Sequence, residues 1–196
     1  MSTTELHAEL PELQRPMRAD ARRNYDKVLT AAREAFAERG ASTSLEDIAR
    51  RAGVGIGTLY RHFPTRQALL EAVYVGEVER VSSSAYELVK LPEWEAVSTW
   101  LRELAGYMVT KQALAGELVE YLGKDTKLFS CCRSSIFDAG SLLIERAQKA
   151  GAMRTDVGIA EAFQMVMGIA KIPNLEPEQF QRLLSVTLDG LRYRGA

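Results

Sequence analysis

The chain has 196 residues, of which 46% are hydrophobic, and its 25 Lys and Arg against 26 Asp and Glu give a net charge of −1. This composition is typical of a globular protein with a buried core. The near-neutral charge does not indicate a polyanion partner for the chain as a whole. The two cysteines, Cys131 and Cys132, are adjacent, which argues against a disulfide framework or a metal cluster.

The N-terminal stretch MSTTELHAELPELQRPMRAD is polar, and no apolar run approaches the roughly 20 residues of a membrane span. With reduced thiols as the default, we expect a cytoplasmic protein that has no membrane partner, metal or cofactor. A redox-sensing role for Cys131 and Cys132 stays open, although small core or helix-face residues are the simpler interpretation.

Charge is distributed unevenly along the chain. Residues 15–66 carry eleven Lys and Arg against six Asp and Glu, whereas residues 67–196 carry fourteen against seventeen. A basic segment joined to an acidic remainder indicates that one part meets an anion and the other does not. A chance fluctuation of solvated charges is the alternative.

Helical signals begin after a proline-containing, acidic segment, residues 1–17, that we predict to be a flexible arm. The stretch RADARRNYDKVLTAAREAFAERG has apolar residues at helical spacing and predicts a first helix that ends at Gly40. A second helix is predicted to begin at Ser44, with Asp47 in a variant of the capping box. It is predicted to end at Gly53, where a left-handed residue costs little.

A short third helix is predicted from about Gly55 to His62, because the residue before Pro64 resists the helical conformation. Thr65 is predicted to cap a long fourth helix. The first three helices, joined by tight turns, predict a helix-turn-helix arrangement. After Pro92 five further segments fit the 3.6-residue period and no strand pattern occurs, so we predict an all-α fold. The predicted domains are the arm (1–17), a helix-turn-helix domain (18–64) and a larger helical ligand-binding and dimerisation domain (65–196).

The start of the third helix has the chemistry of a DNA contact. Gly55 and Gly57 leave the backbone uncovered, so that it can approach another surface, and backbone N–H groups at a helix N-terminus attract phosphate. The polar side chains that follow offer hydroxyls and cations; they are Thr58, Tyr60, Arg61 and His62. Arg66 opens the fourth helix, where the helix dipole disfavours a cation unless an anion is near. For Tyr60, packing against the first helix is an equal alternative. Arg50 and Arg51 are interpreted as a solvated helix face.

The stretch AAREAFAERGASTSLEDIARRAGVGIGTLYRHFPTRQALLEAV resembles the N-terminal DNA-binding region of the TetR family of bacterial transcriptional regulators. The matching features are Phe36, Gly40, Ser44 with LEDIA, then AGV and GTLYRHF, and the basic Arg66. The resemblance covers residues 19–75. It implies a homodimeric repressor whose two N-terminal domains occupy successive major grooves of a palindromic operator. Its C-terminal domain would bind a small effector that releases the DNA. The resemblance also implies a bacterial, nucleoid-associated protein.

Carried over by position, the resemblance adds Arg22, Arg23 and Ser44 to the predicted contacts. Gly55, Ile56 and Gly57 depart from the family pattern, in which polar or base-reading side chains are common here. Ile56 can touch a thymine methyl, but the departure predicts that affinity rests mainly on phosphate contacts. The complete predicted DNA-binding set is Arg22, Arg23, Ser44, Gly55, Ile56, Gly57, Thr58, Tyr60, Arg61, His62 and Arg66.

The C-terminal region is predicted to provide an effector pocket and a dimer seam. Aromatic residues and Met are the pocket candidates, most of them as core: Trp94, Trp100, Tyr107, Met108, Tyr121, Phe129, Phe137 and Phe163. The last two helical segments, predicted at about residues 156–170 and 177–193, are expected to pair with their symmetry mates in a four-helix bundle. The seam candidates, for which packing within the protomer is the alternative, are Phe163, Val166, Met167, Phe180, Leu184, Thr187, Leu188 and Leu191.

No catalytic residues are predicted. The two histidines, His7 and His62, both lie outside the C-terminal region, so a Ser–His or Cys–His pair is unavailable there. We therefore expect a ligand-responsive DNA-binding regulator and not an enzyme. The alternative is a helical adaptor with a vestigial helix-turn-helix.

Overall fold

The computed structural model describes residues 15–122 and 127–193. Most of them lie in helices: α1 (Ala19–Arg39), a 3-10 turn (Gly40–Ser42), α2 (Leu45–Ala52), α3 (Ile56–His62), α4 (Arg66–Leu88), α5 (Glu93–Ala113), α6 (Ala115–Leu122), α7 (Lys127–Lys149), α8 (Ile159–Ala170) and α9 (Pro177–Leu191). Within the described residues there is no strand, only an isolated bridge between Met153 and Arg192. The predicted all-α fold is confirmed. His7 and most of the predicted arm, residues 1–14, lie outside the described ranges.

The early helix boundaries follow from local chemistry. The N–H of Asp47 donates to the Ser44 hydroxyl at 3.1 Å, and the N–H of Ala68 donates to the Thr65 hydroxyl at the same distance. These bonds satisfy backbone donors that the first turns of α2 and α4 leave open. Gly53 ends α2 with φ 65° and ψ 33°, a left-handed conformation that glycine adopts without a steric penalty.

The start of α8 differs from the prediction. The helical pattern extends back to Asp156, but the helix begins at Ile159. The N–H of Gly158 donates to the Glu161 carboxylate at 3.0 Å, which caps the helix at that point. Asp156 instead accepts two hydrogen bonds from Arg154, at 2.6 and 2.7 Å. A local side-chain pair therefore competes with an extra helical turn.

The described chain divides into two compact groups. The first, here called the head unit, contains residues 15–77, 110–122 and 127–129; the second, the body unit, contains residues 78–109 and 130–193. This division differs from the predicted boundary after residue 64. Residues 66–77 belong with the head because Arg66 pairs with Glu117 at 2.7 Å and Glu77 pairs with Arg33 at 3.4 Å.

The core of the head unit joins the first helices. Phe36 of α1, Ile48 of α2 and Leu59 of α3 are fully buried. Tyr25 stacks on Phe63 with ring centroids 4.9 Å apart. The helix-turn-helix is thus held by apolar side chains from every one of its helices.

The core of the body unit is built around an indole ring. Trp100 is fully buried and its N–H donates to the carbonyl of Val81 at 2.8 Å. Its ring lies against Gly140 of α7, where an added Cβ would stand 2.4 Å from a ring carbon of Trp100 and 2.4 Å from the Cδ1 of Ile159. Such distances are impossible between real atoms, so the close packing of α5, α7 and the start of α8 requires glycine at this position.

Candidate nucleic-acid interface

Helix α3 has one face inside the head unit and one face outside it. Leu59 is fully buried and Phe63, directly after the helix, is 1% exposed. Ile56 and Tyr60, four residues apart and therefore on one face, are 38% and 44% exposed. Tyr60 is therefore accessible to a partner, while more than half of its surface is covered within the protein.

The glycines at the start of α3 are not required by the fold. A Cβ built at Gly55 or at Gly57 meets nothing within 4 Å, and neither residue has a positive φ. Glycine inside a helix costs about 0.5–1 kcal/mol relative to alanine. The packing of the protomer therefore sets no steric requirement for glycine at these two positions, and the uncovered backbone is suited to a close approach by another molecule.

The remaining polar residues of α3 differ in exposure. Arg61 is exposed, whereas Thr58 and His62 are half-buried. The His62 ring lies edge-on to Tyr25, with centroids 6.0 Å apart. One side of the imidazole therefore packs on the head core. Of the polar residues of α3 that follow Gly57, Tyr60 and Arg61 are therefore the two exposed ones.

The contacts predicted by resemblance lie on neighbouring elements. The Ser44 hydroxyl accepts the α2 capping hydrogen bond and is half-buried. Arg22 and Arg23 are exposed near the start of α1, and Arg23 forms an ion pair with Asp20. The structure thus leaves Arg22 and Arg23 accessible, while Ser44 already has a structural role.

The Arg50–Arg51 pair is engaged with acids of the head unit. Arg50 pairs with Asp47, and Arg51 donates to Glu38 of α1 at 2.5 Å. The hydrogen bond from Arg51 lowers the pKa of Glu38 below its ordinary value. Arg50 and Arg51 remain solvent-exposed, as expected of a solvated helix face, and Arg51 also joins α2 to α1.

Arg66 is the predicted contact whose surroundings differ most from the expectation. Its Nε and Nη2 donate to the two carboxylate oxygens of Glu117 at 2.7 and 2.9 Å, and its Nη1 donates to the carbonyl of Thr43 at 2.5 Å. The sequence indicated an anion near the cation at the start of α4. In the structure that anion is the Glu117 carboxylate of the same chain. A phosphate contact by Arg66 stays a prediction, and the structure gives the residue a different role.

Sequence reasoning missed Glu117. It lies 51 residues from Arg66, so no local spacing links the two. A signal does exist within α6, where Glu117 stands next to the buried Leu118 and is itself only 8% exposed. A carboxylate on the apolar side of a short helix predicts a buried cationic partner, although it cannot identify which one.

The predicted pocket residues lie in both units. Phe129 belongs to the head unit, where its ring lies 5.3 Å from that of Tyr74. The side chain of Tyr121 lies outside the described residues. The others belong to the body unit: Trp94, Trp100, Tyr107, Met108, Phe137 and Phe163.

Within the body unit most of these residues are core, as predicted. Trp100, Tyr107 and Met108 are at most 3% exposed, and Phe137 packs on Phe163 at 5.1 Å. Trp94 is half-buried, with the Arg192 guanidinium 5.8 Å from its ring centre. Effector binding by these residues stays a prediction.

Most of the residues predicted for the dimer seam are buried within the protomer, which was the alternative interpretation. The members that are at most 8% exposed are Phe163, Val166, Leu184, Leu188 and Leu191. Met167, Phe180 and Thr187 are half-buried. A side chain already covered by its own protomer has little surface left for a partner, and the dimer seam itself stays a prediction.

A different stripe of α8 and α9 is exposed. Met165 of α8 is 42% exposed, and Leu183 and Val186 of α9 are 39% and 70% exposed. Gly168 and Gly190 lie on the same faces, one turn from Met165 and from Val186, and a Cβ at either glycine meets nothing within 4 Å. Both helices therefore present an apolar face with little steric bulk.

Neither cysteine forms a disulfide: Cys132 is buried and Cys131 is half-buried. Across residues 15–122 and 127–193, no three His, Cys, Asp or Glu side chains are placed to hold a metal ion. No described helix is long and apolar enough to cross a membrane.

The comparisons with known proteins agree with this geometry. Residues 28–73 match the family model of bacterial regulatory proteins of the tetR family, and residues 92–193 match the C-terminal domain of SbtR-like transcriptional regulators. The second match alone covers more than half of the chain.

Two solved structures and one curated relative illustrate the likeness. The TetR transcriptional regulator SCO0520 from Streptomyces coelicolor is 40% identical, with 87% of this chain and 99% of that chain covered and a TM-score of 0.77. A TetR transcription regulatory protein from Mycobacterium vanbaalenii is 35% identical, with 90% and 99% covered and a TM-score of 0.72. The HTH-type transcriptional repressor KstR2 of Rhodococcus jostii is 25% identical, with 74% of each chain covered.

The matches to both family models and the identity to two solved regulators over most of the chain support one conclusion. The accessible α3 face in the head unit is the feature that a DNA-binding protein of this kind needs. This protein belongs to the TetR family of bacterial transcriptional regulators.

Proposed function

We propose that this regulator is a repressor that binds a palindromic operator as a homodimer and is released by a small apolar effector. The observation that carries the DNA-binding part is the uncovered start of α3. Gly57 has space for a side chain that it lacks, and Tyr60 is 44% exposed on the same helix. Family membership favours this function over the alternative of a helical adaptor.

The proposed contacts are divided between anchoring and reading. Arg22, Tyr60 and Arg61 have exposed polar groups that we assign to phosphates, which fix the register of the protein on the duplex. Ile56, 38% exposed, is the apolar side chain of α3 available for a thymine methyl. We therefore expect binding to depend strongly on salt and to discriminate modestly among bases.

The experiment is a salt titration of the full chain on an operator selected from a random duplex pool. The logarithm of the association constant is expected to fall linearly with the logarithm of salt concentration. Arg61→Ala is expected to make that slope shallower by about 1 for each head bound. Arg102→Ala, which removes an exposed cation in the body unit, is the matched control and keeps the parent slope. If the parent selects no duplex, operator binding is refuted.

The dimer is assigned to the exposed stripes of α8 and α9. Glycines beside apolar side chains allow two helices to approach closely, and burying Leu183 and Val186 against a second copy would contribute about 1.5–3 kcal/mol per fully covered side chain. Val186→Glu is expected to give monomers in analytical ultracentrifugation. Leu142→Glu is the control, since Leu142 is 41% exposed on α7. A dimeric Val186→Glu variant would refute this seam.

The effector is proposed to bind in the helical C-terminal region, among the aromatic side chains predicted from the sequence. A panel of apolar small molecules is screened for compounds that raise Tm. A ligand at one hundred times its Kd stabilises the folded state by about 2.7 kcal/mol. A true effector is expected both to raise Tm and to weaken operator binding; compounds that raise Tm without affecting the operator would refute release by these ligands.

A further inference from the structure

One guanidinium in the head unit joins four separate parts of the chain. Arg66 is the first residue of α4, and its Nε and Nη2 form two parallel hydrogen bonds with the Glu117 carboxylate of α6, at 2.7 and 2.9 Å. Its Nη1 donates to the carbonyl of Thr43, just before α2, at 2.5 Å. Its central carbon lies 5.3 Å from the ring centre of Phe36 in α1.

The pair is largely removed from solvent. The Glu117 side chain is 10% exposed and that of Arg66 is 23% exposed. Two parallel N–H···O bonds fix distance and orientation together. When one partner of a buried ion pair is lost, the other is left as an uncompensated charge. If Arg66 moved to bind a DNA phosphate, the Glu117 carboxylate would be left buried without its cation. The geometry therefore disfavours a direct contact between Arg66 and DNA.

The pair connects α6 to the segment just before α2. Thr43 is 2% exposed, and its hydroxyl donates to the carbonyl of Ala35 at 3.0 Å. The next residue, Ser44, caps α2. Arg66 therefore holds the short segment that sets how α2, and after it α3, leave the end of α1.

We propose that Glu117 is a positioning residue for DNA binding, and that it acts through Arg66. With the carboxylate in place, Arg66 fixes the Thr43 carbonyl and hence the angle at which α3 is presented. Without it, the guanidinium turns toward solvent and the segment before α2 loses its anchor. Arg66 thus serves operator binding from inside the head unit and not as a phosphate contact. This inference rests on the operator binding proposed above.

The test compares Glu117→Gln and Arg66→Gln in the full chain, on the operator that the parent selects from a random duplex pool. Both substitutions are expected to weaken binding by a similar factor of about ten for each head, roughly the loss of one charge-assisted contact. The double substitution is expected to be no weaker than either single one, because the two residues act as a unit. The slope of affinity against salt is expected to equal that of the parent. Glu117→Asp, which keeps the charge, is expected to recover part of the affinity.

A phosphate contact by Arg66 gives a different pattern. Arg66→Gln then makes the salt slope shallower by about 0.9 for each head, and Glu117→Gln, which releases the cation, leaves the affinity unchanged or raises it. Either result overturns the proposal. Glu93→Gln is the matched control, because Glu93 pairs with Arg146 at 3.1 Å in the body unit and its loss should not change operator binding.

A further variant keeps the test informative if the single substitutions fail to fold. Replacing both residues by Met removes two buried charges at once, which is often neutral or stabilising. This double variant is expected to retain the parent's helicity and to bind the operator about tenfold more weakly for each head, again by roughly one charge-assisted contact. Binding at the parent's level would refute the positioning role. A parent that selects no duplex would instead refute the proposed function, and this inference with it.

Discussion

Gly57→Ala is predicted to stabilise the protein and to weaken its binding to DNA. The new methyl group meets no protein atom within 4 Å, and Gly57 has no positive φ. The substitution therefore removes the conformational cost of a helical glycine, about 0.5–1 kcal/mol. For a chain of this length that raises Tm by about 1–4 °C.

The same methyl group is expected to separate α3 from the duplex. If the helix backbone rests on DNA, one displaced contact worth about 1.4 kcal/mol weakens binding about tenfold for each head, and about a hundredfold for a dimer on two half-sites. Thermal denaturation followed by circular dichroism gives the first quantity, and fluorescence anisotropy with a labelled selected operator gives the second. The distinguishing result is a higher Tm together with a lower operator affinity, because a variant that is simply destabilised loses both Tm and affinity.

Gly116→Ala provides the matched control for Gly57→Ala. Gly116 lies on α6, is exposed, and also has space for a Cβ. Its substitution is expected to raise Tm by a similar amount with no change in operator affinity. Should Gly57→Ala bind the operator as tightly as the parent, the idea that the α3 backbone approaches DNA would have to be abandoned.

Three further predictions concern stability. Gly140→Ala is expected to destabilise the protein by about 1–3 kcal/mol in urea denaturation, because the new methyl group overlaps the Trp100 ring; unchanged stability would contradict this packing. Ser44→Ala is expected to cost about 1 kcal/mol through loss of the α2 cap, and a loss of DNA affinity beyond that of a mild destabilisation would indicate a direct contact. Arg154 lowers the pKa of Asp156 by hydrogen bonding, so Asp156 stabilises the fold at neutral pH and ceases to do so as acid protonates it. The urea midpoints of the parent and Asp156→Asn are therefore expected to converge below pH ~4, and a gap that stays constant would refute this.

The helix-turn-helix could be predicted from the sequence because its signals are local. Ser44, Gly53 and Thr65 each act on backbone groups within a few residues, so their effects depend little on the rest of the fold. The inward positions of Leu59 and Phe63 follow from the same periodicity. The exposed position of Tyr60 did not follow, because an amphipathic tyrosine fits either a core edge or a surface.

The proposed dimer seam on α9 illustrates what helical periodicity does not predict, namely which of two apolar stripes is buried in the protomer. Leu184, Leu188 and Leu191 form one apolar stripe, and Leu183, Val186 and Gly190 form another beside it. A helix that is apolar over so wide an arc must bury one stripe in its own protomer and can offer the second to a partner. The sequence alone does not show which stripe is buried. In the structure the protomer covers the stripe with the larger side chains, Leu184, Leu188 and Leu191.

Arg66 illustrates a similar ambiguity in electrostatics. A cation at the start of a helix indicates that an anion is near, but the helix dipole does not specify which anion. A phosphate and a carboxylate satisfy the same requirement, and only burial distinguishes them. Because Glu117 is 8% exposed, its charge needs a partner in the folded protein whether or not DNA is present. That requirement pairs Arg66 with Glu117 in the free protein, and we therefore propose that the contacts with DNA are made by exposed side chains such as Arg61.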